Sequence, residues 1–200
     1  MIEHKLIAAG ITNIAGVDEA GRGACAGPLV IAALILKDPQ NPHLTEVRDS
    51  KELTPKKRES LFDLIMSESL AHSIIEISPE EIDATGLHRS NIEGMRRAIL
   101  ALAIEPEYVL TDGYSIEGLN APALAVWKGD QVAITISAAS IVAKVHRDRI
   151  MEELDKRYPG YGFSNHKGYV TRSHEKSLLE LGVSDVHRRS YANIAALINT

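Results

Sequence analysis

The chain has 200 residues, a net charge of −5 and one cysteine. That length fits one domain able to bury its core without cross-links. The lone Cys25 excludes an intramolecular disulfide framework, and the acidic balance excludes a protein that coats nucleic acid by bulk charge. Taken in chain order, Ile14–Val17 reads as a short strand and Leu29–Leu36 as a continuous apolar, buried one. The Gly-rich link between them suits a hairpin. Thr54-Pro55 opens a helix, with Thr as N-cap and Pro at the first helical position. Ala71–Ile77 follows as a strand, and Ser78-Pro79-Glu80-Glu81 starts a further helix. A helical stripe of Ile92, Met95, Ile99 and Leu102 predicts a helix over Leu87–Ala103. Tyr108–Leu110 and Ala123–Trp127 read as short strands, and Ser137–Arg157 as a long helix. Shorter helices are expected at Ser173–Leu181 and Tyr191–Ile198.

A meander of strands that then alternate with helices predicts a mixed sheet with helices packed on it. One α/β domain over residues 1–200 is expected, with a helical C-terminal part from about 171. No apolar run is long enough to span a membrane, and the first ten residues lack a signal-peptide pattern. A cytoplasmic protein is therefore expected, without membrane association. Cys25, between Ala24 and Ala26, reads as a small buried residue.

Acids recur where strands end: Asp18-Glu19 after Ile14–Val17, Asp112 after Tyr108–Leu110, and Asp130 after Ala123–Trp127. Neighbouring carboxylates repel, and a divalent cation relieves the repulsion. Hard ions such as Mg²⁺ or Mn²⁺ take oxygen ligands, and a pair of them suits phosphodiester hydrolysis. The absence of a Cys/His cluster argues against zinc. Taken singly, Asp112-Gly113 and Gly129-Asp130 are better explained as turns, and Asp18-Glu19 equally well as a solvated strand end. Gly21-Arg22-Gly23 offers backbone N–H groups and a guanidinium beside the first acids, although a solvated surface turn has the same composition. Lys167-Gly168-Tyr169 is a second candidate contact, with Tyr169 able to stack on a sugar or base, or simply to be a partly buried core residue. Residues 141–176, with Lys144, Arg147, Arg149, Lys156, Arg157, Lys167, Arg172 and Lys176, are expected to be positive enough to meet phosphates. His146, His166, His174 and His187 read as surface or hydrogen-bonded residues.

Several blocks in this order resemble ribonuclease HII, the bacterial type 2 ribonuclease H family. They are Gly16-Val17-Asp18-Glu19-Ala20-Gly21-Arg22-Gly23, Ala26-Gly27-Pro28, Asp49-Ser50-Lys51, Val109–Gly113, Lys128-Gly129-Asp130, Ala138–Val145 with Arg147-Asp148, His166-Lys167-Gly168-Tyr169 and His187-Arg188. The resemblance implies a ribonuclease H-like fold, with a five-stranded mixed sheet flanked by helices. It implies an endoribonuclease that cuts the RNA strand of RNA–DNA hybrids and nicks DNA duplexes 5′ to single embedded ribonucleotides, leaving 5′-phosphate and 3′-hydroxyl ends. Asp18, Glu19, Asp112 and Asp130 are then the catalytic carboxylates, holding Mn²⁺ or Mg²⁺, two ions with substrate bound. Gly21, Arg22 and Gly23 are expected at the 2′-hydroxyl, which separates RNA from DNA. Tyr169 is expected at the junction, touching that hydroxyl and stacking on the next deoxyribose. Ser50, Lys51 and Lys167 are further substrate contacts, and a monomer is expected.

Two departures stand out. Tyr191 replaces the family's usual Phe, a change expected to be harmless, and the chain stops at Thr200 without the longer tail of some relatives. Ribonuclease HIII is a poor match, because its extra N-terminal domain and altered turn are not seen here. Another nuclease of the same fold, such as a junction resolvase, and a non-catalytic nucleic-acid-binding module are the alternatives.

Overall fold

The computed structural model describes residues 1–47, 50 and 53–198. Among them a five-stranded mixed sheet has the order β3-β2-β1-β4-β5, with β1 at Ile14–Ala20, β2 at Leu29–Leu36, β3 at Ser69–Ile77, β4 at Tyr108–Asp112 and β5 at Ala123–Val126. Strands β1, β2 and β3 form the antiparallel meander, whereas β4 runs parallel to β1, and β5 parallel to β4.

The apolar run of β2 is buried on both faces because its side chains alternate. Val30, Ala32, Leu34 and Leu36 pack with Leu61 and Ile65 of α2 (Pro55–Glu68) and with Ala138 and Val142 of α6 (Ile134–Arg157). Leu29, Ile31, Ala33 and Ile35 pack with Met95 and Ile99 of α4 (Leu87–Leu100). Each such buried aliphatic side chain contributes about 1.5–3 kcal/mol relative to exposure, so these two layers hold the sheet between helices.

The local start signals act as expected. Thr54 Oγ1 accepts from Lys57 N (3.3 Å), and Ser78 Oγ accepts from Glu81 N (3.2 Å) at the start of α3 (Pro79–Thr85). Several boundaries differ from expectation. Strand β1 runs through Ala20, so Asp18 and Glu19 lie within it. The ladder with β2 continues past them, pairing Asp18 with Ala32 and Glu19 with Ile31. Strand β4 extends to Asp112, β5 stops before Trp127, and α4 ends at Leu100 rather than Ala103. Helix α6 begins at Ile134 rather than Ser137, because its cap comes from far away in sequence. The buried Glu3 of α1 (Ile2–Ala8) accepts from both Thr135 N and Thr135 Oγ1 at 3.0 Å. Gly16 makes the close approach possible: a β-carbon there would lie 2.1 Å from the Thr135 carbonyl carbon.

The C-terminal part contains α7 (Phe163–His166), α8 (Arg172–Leu181) and α9 (Ala192–Ile198). It is laced to the link between β1 and β2. Cys25 N donates to Gly168 O (2.9 Å), Gly27 N to Val186 O (2.8 Å) and Arg188 N to Cys25 O (2.8 Å). Cys25 is fully buried.

Candidate active site

The parallel register of β1 and β4 sets Val17 beside Thr111, so the next residues, Asp18 and Asp112, emerge at the same end of the sheet. In open α/β sheets, sites gather at such ends. Asp18 is 5% exposed; burial pushes its carboxyl well above the usual range, and the charges of Glu19 and Asp112 push it further. Ser140 and the Glu19 N–H (2.7 Å from Asp18 Oδ1) oppose that shift by hydrogen bonding. Asp112 Oδ1 accepts from Gly129 N (2.8 Å). That bond ties β4 to the short helix α5 (Gly129–Val132), whose first turn carries the buried Asp130. Lys128, the residue before α5, adopts a left-handed conformation (φ 52°, ψ 49°).

A cleft of about 370 Å³ opens here, lined by Glu19, Arg22, Asp112, Tyr114, Lys128 and Asp130. Arg22 is exposed, with its guanidinium 5.0 Å from the Tyr114 ring centroid. Tyr169 comes to the Gly21-Arg22-Gly23 turn from the far end of the chain: a β-carbon on Gly23 would lie 3.7 Å from its Cε1. The structure therefore brings together Asp18, Glu19, Asp112 and Asp130, with the Gly21-Arg22-Gly23 turn and Tyr169 beside them.

The remaining candidates sit differently. Ser50 is buried, and its Oγ lies 2.9 Å from Ser140 Oγ, so it supports the residue that bonds Asp18. Lys51 lies outside the described residues. Lys167 Nζ is held by Glu152 Oε1 at 2.8 Å, and its backbone is left-handed (φ 51°). Arg147 does not join a basic surface. It is completely buried and donates to the carbonyls of Pro28 (2.9 Å), Lys167 (2.9 Å) and Ala26 (3.0 Å). Lys144 is paired with Asp148 at 2.5 Å.

Residues beyond the sequence-derived set also shape the site. Arg188 Nη1 donates to Arg22 O (3.2 Å) and to Tyr191 Oη (2.8 Å), while Tyr191 Oη donates to Arg22 O (2.6 Å). Tyr191 is thus more than a neutral replacement for Phe, since its hydroxyl pins the turn. For Tyr191 the signal in the sequence was that departure, and for Arg188 it was the His187-Arg188 block.

The four acids form an all-oxygen donor set, the chemistry a hard divalent cation prefers, and a cation there relieves the repulsion that raises Asp18. Among the described residues, no group of three or more His, Cys, Asp or Glu side chains is arranged to hold a metal ion by itself. Magnesium-type sites commonly draw their remaining ligands from substrate phosphate and water.

A mixed sheet of this order, with carboxylates at the shared ends of its central strands, defines a ribonuclease H-like hydrolase. The solved ribonuclease H2 from Pyrococcus horikoshii OT3 matches with a TM-score of 0.82 and 30% identity, over 94% of this chain and 97% of that one. The family model for Ribonuclease HII matches residues 15–194. The Ribonuclease HII of Salinispora arenicola is 50% identical over 196 residues, covering 98% of this chain and 73% of the relative. That of Cutibacterium acnes is 51% identical over 192 residues, covering 96% and 94% respectively. The chain belongs to the ribonuclease HII family, and is thus a metal-dependent endoribonuclease acting on RNA–DNA hybrids. Among the described residues no helix is long and apolar enough to cross a membrane.

Proposed function

We propose that the chain, besides cutting RNA–DNA hybrids, nicks duplex DNA on the 5′ side of a single embedded ribonucleotide, leaving 5′-phosphate and 3′-hydroxyl ends. Asp18, Glu19, Asp112 and Asp130 would hold two Mn²⁺ or Mg²⁺ ions. When bound, such ions activate water and neutralise charge on the leaving oxygen. The observation that carries this reading is the burial of Asp18 against the charges of Glu19 and Asp112 beside an open cleft.

The chain's own residues then orient the substrate. Gly129 N fixes one oxygen of Asp112, which lines the cleft. Ser140, backed by Ser50, holds Asp18 in place. The glycine–arginine–glycine turn lets backbone N–H groups approach the ribose 2′-hydroxyl, and the exposed Arg22 meets the adjoining phosphate. Tyr169 reaches the sugar that follows. Lys51 and Lys167 remain proposed backbone contacts, with Lys167 releasing Glu152 to make one. We place the protein in the cytoplasm as a monomer.

Mn²⁺ titration by calorimetry tests the metal reading. The protein should take up the ion with micromolar to millimolar affinity, and Asp112→Asn should weaken uptake at least about tenfold. Unchanged uptake by that variant would remove Asp112 from the metal site.

A further inference from the structure

Behind the cleft, three imidazoles surround the loop that carries Tyr169, and their protonation can be read from fixed donors. Ser184 N–H donates to His187 Nδ1 at 3.1 Å, so that nitrogen carries no proton. The neutral His187 ring therefore holds its proton on Nε2, which lies 3.1 Å from His174 Nε2. His174 Nε2 must then accept, which leaves the His174 proton on Nδ1, 3.0 Å from the Tyr169 carbonyl. One direction of donation runs from Ser184 through His187 and His174 to Tyr169 O. His166 holds the preceding peptide: its Nδ1 accepts from Gly168 N (3.2 Å), and its Nε2 donates to Tyr161 O (2.8 Å). Its ring stacks on His174 with centroids 4.2 Å apart.

The two polar main-chain groups of Tyr169 are thus fixed, since its N–H donates to His166 O at 2.9 Å. The Arg147 guanidinium, itself buried, lies over the Tyr169 ring, 5.6 Å from the ring centroid. His174 and His187 are both buried, and their surround is largely apolar or aromatic, with Cys25, Tyr161 and Phe163 against them.

We propose that His174 and His187 are positioning residues that set Tyr169 at the ribonucleotide junction through a directed hydrogen-bond relay. The proposal rests on the reading of Tyr169 as the junction contact. A relay loss should therefore weaken cleavage of a duplex with one ribonucleotide more than cleavage of a continuous hybrid, where many successive sites can be cut.

The test compares kcat/KM on the two substrates for His174→Leu, His174→Asn and Tyr169→Ala, with thermal midpoints measured alongside. An Asn amide can stand at the Nδ1 position and still donate to the Tyr169 carbonyl; Leu cannot. The single-ribonucleotide substrate should lose about tenfold more than the hybrid in His174→Leu, the equivalent of one hydrogen bond. His174→Asn should recover most of that loss despite a similar fall in thermal midpoint. Parallel losses on both substrates that follow the thermal midpoint would overturn the relay and leave a structural role. If Tyr169→Ala changes the substrate ratio and His174→Leu does not, the relay alone is wrong; if Tyr169→Ala leaves the ratio unchanged, the junction reading falls and takes the relay with it. Where His174→Leu does not fold, His174→Gln replaces it, because its longer amide reaches the Nε2 position and leaves the carbonyl without a donor.

Discussion

Arg147 Nε fills the space that a β-carbon on Gly21 would need; the two positions are 1.9 Å apart. The Gly21-Arg22-Gly23 turn is therefore built directly on a buried guanidinium, whose other bonds hold Pro28, Ala26 and Lys167. Burial lowers Arg147 to about 10, so it remains charged at neutral pH. Gly21→Ala should displace Arg147 and also strain the left-handed backbone there (φ 91°). We expect a loss of about 3 kcal/mol or more in stability, as for other disrupted buried charge networks. Urea denaturation measures it; a loss below about 0.5 kcal/mol, typical of a neutral surface change, would show that Arg147 is not supporting the turn.

Tyr191→Phe removes one hydroxyl that both accepts from Arg188 and donates to Arg22 O. The ring remains, so the fold should persist with a cost of about 1 kcal/mol. The turn should loosen, raising KM for a hybrid a few-fold with a smaller change in kcat. Steady-state kinetics decide this, and a variant identical to the parent would make the hydroxyl incidental.

Asp18→Asn removes a carboxylate that is buried and repelled by Glu19 and Asp112, while keeping an oxygen to accept from Glu19 N. The metal-free variant should melt higher than the parent, yet cleavage should fall by a factor of about 10³ or more, the scale of losing a central electrostatic group. Calorimetric melting and a cleavage assay on the same sample test both parts. Retained activity would remove Asp18 from the catalytic set.

Burial lowers His187 to about 4 and lowers His174 as well, each from an ordinary 6.5, and their mutual proximity to other imidazoles adds to the shift. The sign follows from linkage: below 6.5 the unfolded chain takes up protons that these folded rings refuse. Their contribution to stability is complete above about 6.5 and is lost as pH falls toward about 4. His187→Phe should therefore flatten the fall in stability across that window, relative to the parent. Parallel curves of stability against pH would contradict this assignment.

Much of this architecture was legible because its signals are local. The alternating burial of β2, the Thr54 and Ser78 caps and the apolar face of α4 each depend on neighbours in sequence. The acids and the glycine–arginine–glycine turn were visible through their residue types, and the fold brings them to one end of the sheet. Other features depend on distant partners. Glu3 caps α6 from 132 residues away, which hid both the helix start and the purpose of a buried acid. Arg147 looked like a surface cation because nothing nearby in sequence shows the three carbonyls that enclose it. His174 and His187 gain meaning only when packing joins them. Asp18 and Glu19 were placed at a strand end, since sequence alone does not show that the β2 ladder continues past two charges.

Nicking at an embedded ribonucleotide is tested most directly by mapping the cut in a DNA duplex containing one ribonucleotide, using end-labelled strands with Mn²⁺ or Mg²⁺ and a continuous RNA–DNA hybrid in parallel. A single nick is expected on the 5′ side of the ribonucleotide, with a 3′-hydroxyl and a 5′-phosphate at the break, together with cleavage of the hybrid. A nick on the 3′ side, or an intact ribonucleotide duplex under conditions that cut the hybrid, would contradict this expectation.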